Sequence, residues 1–295
     1  MNGKTIKFNN KPIKFNGALV REPKQAEPTD LCIIAEEANA QVKFKKASKI
    51  ETAWDIEYST DGITWTEATE TTTTITLTNV GDKVYFRGPA TNARGQTTTV
   101  YNKFDLNAGK VAARGNVMSL MGNATALTEE YQLARLFFEC SDLTAGPSMT
   151  ATTLSNYCYQ STFRRCTSLG VTPELPATIL SSHCYHFMFA ECTALTTPMA
   201  VLPSSQGNAY CYNNMFKGCT ALTSGPHIKL TTLNSSSCLI YMFRDCSSLS
   251  SIKIDYTGNF GSSNMNGWVT GVASTGTFYY NGTYTTRGVD AIPAG

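Results

Sequence analysis

The stretch LPATILSSHCYHFMFAECTAL, residues 175–195, carries the rhythm of the whole second half of the chain. Its Cys192 is one rung of a ladder formed by Cys140, Cys166, Cys192, Cys219 and Cys246, with steps of 26, 26, 27 and 27 residues. Its Cys184 belongs to a second ladder, Cys158, Cys184, Cys211 and Cys238, each standing eight residues before a rung of the first. Other positions keep the same interval. Phe137, Phe163, Phe189, Phe216 and Phe243 stand three before the first ladder, Leu136, Thr162, Met188, Met215 and Met242 four before it, and Leu133, Tyr159, Tyr185, Tyr212 and Leu239 seven before it. Leu143, Leu169, Leu195, Leu222 and Leu249 follow three after. Repeats of this length are units that bury their apolar faces only against their neighbours.

Apolar residues at −7, −4, −3 and 0 match one face of an amphipathic helix. The spacing therefore predicts a short helix in each unit, for example over Asn156–Cys166, with Ser155, Ser182 and Ser235 as N-caps. Pro147, Pro173, Pro198 and Pro226 then mark a turn into an extended segment, which Pro176 and Pro203 keep short. One helix and one strand per 26 or 27 residues fit a leucine-rich-repeat unit. Met118, Leu120, Met121 and Leu127 are expected to seal the upstream end. Ile252, Ile254, Trp268 and Phe278-Tyr-Tyr280 are expected to seal the downstream end.

These residues also carry a family resemblance. The pattern above, with LARLFFECSDL, STFRRCTSL, NNMFKGCTAL and IYMFRDCSSL around it, resembles the BspA-like leucine-rich repeats of Bacteroidales surface proteins and crAss-like phage virion fibres. The approach GNVMSLMGNATAL at 115–127 and the tail GTFYYNGTYTTRGVDAIP at 276–293 are similar to that group's flanking segments. The resemblance covers residues 115–295 and implies a binding scaffold without naming its ligand.

Upstream the texture changes. Residues 1–130 hold 16 of the 24 Lys and Arg and 15 of the 22 Asp and Glu, leaving only 8 and 7 for the longer remainder. Residues 30–106 read as short strands: Val42–Phe44, Ile56–Tyr58, Ile63–Trp65, Ile75–Leu77, Val84–Phe86 and Val100–Phe104, with Asp61-Gly62 as a hairpin turn. This suggests a small immunoglobulin-like sandwich, and the run also resembles modules that often precede such repeats. Cys32 reads as a buried strand residue. The expected fold class is thus mixed α and β: an all-β sandwich over 30–112, then an α/β repeat solenoid of about five or six units with its C-terminal cap over 113–295.

The first residues stand apart. Lys4-Thr-Ile-Lys-Phe-Asn9 recurs as Lys11-Pro-Ile-Lys-Phe-Asn16, so Lys4, Lys7, Lys11 and Lys14 alternate with Ile6, Phe8, Ile13 and Phe15 and no acid intervenes. Residues 1–19 are too short to fold alone and read as a basic docking segment that adds strands to a partner subunit. The competing readings are an extra strand on the chain's own sandwich and a disordered tail. Residues 20–29, with Pro23 and Pro28, read as a linker.

Composition narrows the function. The chain has 295 residues, a net charge of +2, 42% hydrophobic and 16% charged residues, which argues against a nucleic-acid binder. No apolar run approaches the roughly 18 residues of a membrane span, and the N-terminus lacks the apolar core of a secretory signal. The thiols recur along a line rather than converging as CxxC metal pairs do, so they read as buried packing groups rather than disulfides or metal ligands. His183 and His186 flank Cys184, but the other rungs of that ladder have no histidine, and Glu174 with Glu191 make a poor glycosidase pair. No catalytic residue, cofactor or metal is assigned. Tyr157, Tyr210, Tyr241, Tyr279, Tyr280 and Tyr284 are the candidate ligand surface, against the bland reading that tyrosines at this spacing are core.

The expected function is a non-enzymatic virion protein, a phage head or tail fibre or decoration protein. It would attach by its N-terminus to other virion subunits and present the repeats to a host-surface glycan or protein. A homotrimer is implied by the resemblance. The alternative is a bacterial cell-surface adhesin that binds host matrix or glycans. A polysaccharide-cleaving enzyme is the third reading.

Overall fold

Strict alternation of apolar and polar residues builds the first half. In Ala40–Lys45, Ala40, Val42 and Phe44 are buried while Gln41, Lys43 and Lys45 face outward, the two-residue period of a strand with one wet face. The structure, a computed structural model, describes residues 7–8, 11–12, 14–15, 18–19, 28–47, 54–69, 72–89, 96–97, 99–234, 237–283, 285 and 287–290.

In chain order the strands of the N-terminal part are β1 (Lys7–Phe8), β2 (Lys11–Pro12), β3 (Lys14–Phe15), β4 (Ala18–Leu19), β5 (Leu31–Ala35), β6 (Ala40–Lys45), β7 (Glu57–Ser59), β8 (Thr66–Glu67), β9 (Thr72–Leu77), β10 (Lys83–Arg87), β11 (Lys103–Asp105) and β12 (Val111–Arg114). One sheet runs β13-β12-β5-β10-β7-β8, where β13 (Leu143–Ala145) already belongs to the repeats; a second runs β11-β6-β9. Phe44, Trp54, Phe86 and Phe104 are buried as one aromatic cluster, with centroid separations of 4.9 to 5.8 Å. Residue 32 is a buried strand cysteine in β5.

The hairpin differs from its expected register. Asp61 Oδ1 accepts the backbone N–H groups of Ile63 and Thr64 at 2.8 and 2.7 Å, holding both in the loop. The return strand therefore starts at Thr66, and Ile63 is 83% exposed rather than paired. The side-chain cap offers the backbone a competing partner, which is why Asx turns displace strand ladders.

The α/β leucine-rich-repeat solenoid expected downstream does not form. The chain is 27% strand and 3% helical, and among the described residues no helix reaches seven residues. Where helices were expected, each coil runs through overlapping tight turns. In the second coil, Gln160, Thr162, Arg164 and Cys166 donate N–H three residues back, to Tyr157, Tyr159, Ser161 and Phe163. The alternate residues Tyr157, Tyr159, Ser161, Phe163 and Arg165 donate instead to Ser182, Cys184, His186, Met188 and Ala190 of the next coil, at 2.9 to 3.0 Å. Tyr157, Ser161 and Arg165 take left-handed φ of 58°, 55° and 63°, and His183, Phe187 and Glu191 repeat them one coil on.

A helix keeps its amides to itself and packs about 8–10 Å from its neighbour. Here consecutive Phe rings, Phe137 to Phe163 to Phe189 to Phe216 to Phe243, lie parallel at 5.3 to 5.6 Å, which leaves no room for helices between coils. Each non-glycine left-handed residue costs roughly 1–2 kcal/mol. The coil-to-coil hydrogen bonds and the buried aromatic rows offset that cost. The expected serine caps go elsewhere: Ser155 Oγ donates to the Glu129 carbonyl of the preceding coil, Ser182 Oγ meets His183 Nδ1 at 2.7 Å, and Ser235 lies outside the described residues.

On the other side of each coil, parallel pairing links the units. Prolines limit the early coils to single bridges, Ala145 to Val171 to Thr197, because they lack the N–H a ladder needs. Later coils widen into a four-stranded parallel sheet of β14 (Val201–Leu202), β16 (Ser224–Ile228), β18 (Ser251–Ile254) and β19 (Thr277–Tyr280), while β15 (Gln206–Gly207) pairs with β17 (Thr232–Leu233). The sheet and the core cross residue 112 without interruption, since β12 pairs with both β5 and β13 and Phe104 stacks on Phe137 at 5.3 Å. Val117–Met121, a buried 3-10 turn, closes the upstream side. Trp268, Phe260, Phe278 and the four-residue helix α1 (Ser262–Met265) close the downstream side.

The first ladder of cysteines has a specific task. Cys140, Cys166, Cys192, Cys219 and Cys246 are fully buried, and each thiol donates to a phenylalanine carbonyl of the preceding element at 3.0 to 3.3 Å. Burial pushes Cys140, Cys192 and Cys246 up to about 12, so they remain protonated donors at neutral pH. All ten cysteines are free and buried.

Far-UV circular dichroism should show a β- and turn-rich spectrum without paired helical minima; strong helical minima would contradict the turn face. Phe189→Ala, which breaks the ring row at its middle, should destabilise the fold by about 3–5 kcal/mol in urea titration.

Candidate functional site

The four-residue turn period decides which side chains leave the core. Positions nine, five and one before each first-ladder cysteine are left-handed and carry most of the larger exposed side chains of this face, although Ser161, Asn214 and Ser237 among them are buried. The cysteine eight before and the residues seven, four and three before point in. The row nine before is Tyr131, Tyr157, His183 and Tyr210. Their rings lie face to face at 4.6, 4.4 and 4.5 Å, with interplanar angles of 9°, 24° and 18°. The row ends where the next coil has Ser237.

Beside it runs the row five before: Arg135, Ser161, Phe187, Asn214 and Tyr241. Guanidinium groups cover its aromatic rings, Arg164 over Phe187 at 4.8 Å and Arg244 over Tyr241 at 4.9 Å. The row one before is ionic. Arg165 bridges Glu139 and Glu191 at 2.9 and 2.7 Å, and Arg164 reaches Glu191 at 2.8 Å. Partial burial works against ionisation of Glu191, but hydrogen bonds from Arg165 and Arg164 outweigh it and hold the carboxyl below its usual range. These half-exposed pairs set side-chain positions more than they stabilise.

The aromatic ridge itself is uncharged. Burial depresses His183. Burial, reinforced by the neighbouring His183, pushes His186 down to about 4. His186 Nδ1 also meets Gln160 Nε2 at 3.1 Å. Cys184 points into the core while His183 stacks outward, so the adjacent histidine and thiol do not form a nucleophile–base pair. Glu191 is held by its arginines, whereas Glu174 stands in a shallow groove lined by Pro147, Met149, Pro173 and Pro176, with no second carboxylate among its lining residues. Among the described residues no group of three or more His, Cys, Asp or Glu is placed to hold a metal ion, and no helix is long and apolar enough to cross a membrane.

The structure thus brings Tyr157 and Tyr210 into one row and adds Tyr131 and His183, which the sequence reading left out. Their signal was present, since all four stand nine before a ladder cysteine. Tyr241 falls in the neighbouring row. Tyr279, 54% exposed, lies at the far end on β19. Tyr280 packs its ring on Phe260 at 5.0 Å and donates its hydroxyl to the Thr257 and Gly258 carbonyls, a cap residue by its contacts. Tyr284 lies outside the described residues.

Of the docking segment, Lys7 and Phe8 pair with Lys11 and Pro12, and Lys14 and Phe15 pair with Ala18 and Leu19. These two minimal hairpins are separate from the larger sheets. Lys4, Ile6 and Ile13 lie outside the described residues. Comparison of the chain with protein-family models, curated proteins and solved structures returns no match.

The depressed histidines give stability a pH slope. Below the ordinary histidine pKa of about 6.5 the unfolded chain takes up protons that folded His183 and His186 exclude. Stability should therefore decline as pH falls from there toward about 4. His186→Gln should flatten part of this slope in urea midpoints measured across that range. An unchanged slope would assign it to other groups.

Proposed function

We propose that this chain is a non-enzymatic virion structural and adhesion protein, a head or tail fibre or a decoration protein. Its N-terminal segment is the handle to other virion subunits, and its coil stack displays a recognition face to a host-surface glycan or protein. The observation that carries the reading is the uncharged ridge of Tyr131, Tyr157, His183 and Tyr210, set on a backbone hydrogen-bonded coil to coil. Aromatic side chains with few rotatable bonds give large contact area for little lost entropy. A scaffold ordered before binding loses less again on association.

Two further features support this reading. Within the duplicated Lys-x-Ile-Lys-Phe-Asn segment, the described strands Lys7–Phe8 and Lys11–Pro12 pair with each other and Lys14–Phe15 pairs with Ala18–Leu19, none of them joining the larger sheets, as suits a handle. The virion setting and the homotrimer come from the family resemblance of the repeats.

Removing residues 1–17 should abolish incorporation into particles while leaving the unfolding midpoint unchanged; normal occupancy of the truncated chain would overturn the handle. Tyr157→Ala with Tyr210→Ala should weaken binding to host cells by at least about tenfold, the scale of losing ~1.4 kcal/mol. Full binding by a folded double variant would remove the ridge from the recognition surface.

A further inference from the structure

The two cysteine ladders differ in what their sulfurs touch. Every first-ladder thiol is committed to a carbonyl. In the second ladder, Cys211 Sγ and Cys238 Sγ lie 3.1 Å apart, the one sulfur–sulfur hydrogen bond among the described residues. The sequence gives this step a local cause. The position twelve before the first-ladder cysteine is Leu154 in the second coil and Leu180 in the third, both buried, but it is Gly207 in the fourth. A Cβ on Gly207 would stand 2.7 Å from Cys238 Sγ and 3.0 Å from Leu233 Cδ2. Glycine therefore leaves the space that the Cys238 sulfur occupies, and that sulfur rests against Cys211 of the preceding coil.

We propose that Cys211 and Cys238 form an oxidisable pair, a modification site whose disulfide staples two adjacent coils once the protein leaves a reducing compartment. A bond of about 2.05 Å requires the sulfurs to approach by only about 1 Å. The Tyr212 amide donates to the Cys238 carbonyl at 3.1 Å, so these two coils sit about one strand spacing apart and bring the two backbones within the usual span of a disulfide. The oxidant is a small-molecule disulfide such as oxidised glutathione. One thiolate of the pair attacks it, forming a mixed disulfide and releasing one reduced glutathione. The second thiolate then displaces the bound glutathione as a second reduced molecule, and the two thiol protons end on the two released thiols. Burial keeps the pair reduced and unreactive until the coils open locally, so the staple forms slowly and then persists. This site does not depend on the display function.

The test incubates the full chain with oxidised glutathione a few degrees below its unfolding midpoint, followed by alkylation and non-reducing peptide mapping. The expected result is loss of two hydrogens, a single Cys211–Cys238 link, and a midpoint raised by a few degrees and restored by dithiothreitol. Cys184→Ser should retain the link, and Cys238→Ser should lack it. If Cys238→Ser does not fold, mapping of the unaltered chain decides alone. Ten alkylatable thiols, glutathione adducts without a link, or a link to any other cysteine would overturn the assignment.

Discussion

Alternate backbone amides of each turn-face coil point along the stack and hydrogen-bond carbonyls of the next coil, and the rest of the repeat region follows from that spacing. Neighbouring coils are held near 5 Å on this face, as parallel strands hold them on the other. At that separation identical side chains must lie directly on one another. Planar rings do this well, so the phenylalanines form a continuous row from Phe104 of the N-terminal sheets to Trp268 of the cap, and Tyr159, Tyr185 and Tyr212 form a shorter one. Small groups also fit, which suits cysteine: each first-ladder thiol is buried and donates a proton to a phenylalanine carbonyl of the preceding coil.

The same constraint shapes the surface. A residue whose amide must reach the next coil cannot also close a helical hydrogen bond, so every fourth residue turns left-handed, and where that residue is large, as at Tyr157, His183, Tyr210 and Arg165, its side chain lies at the surface. The outward rows are then as regular as the inward ones. Where a row is aromatic it becomes a ridge of stacked rings. Where it is charged, as at Glu139, Arg165 and Glu191, opposite charges alternate from coil to coil because like charges at this spacing would repel.

The inward rows were legible because burial selects residue type directly. Cys192, Phe189, Met188, Tyr185 and Leu195 were all placed by their interval and are all buried. The helix was misread for a related reason. Apolar residues at −7, −4, −3 and 0 satisfy a helix of 3.6 residues per turn, but they satisfy a four-residue run of turns equally well. Asn214, Gly218, Gly267 and Gly271, at the positions that turn left-handed, were the available sign of turns, yet tyrosine, arginine and phenylalanine at the same positions in other coils obscured it. The hairpin at Asp61 shows the reverse case, a strong local signal whose register moved because a carboxylate captured two amides.

By itself the sequence determined the interval of the units, the residues that leave water, and the tryptophan- and phenylalanine-rich cap, since each of these depends only on side-chain chemistry and counting. Tertiary structure alone decided whether a coil closes as helix or as turns, which tyrosines share a row, and which sulfurs meet. The amide of Leu133 finds its acceptor on Cys158 in the next coil, and no local pattern reports a partner that far along the chain.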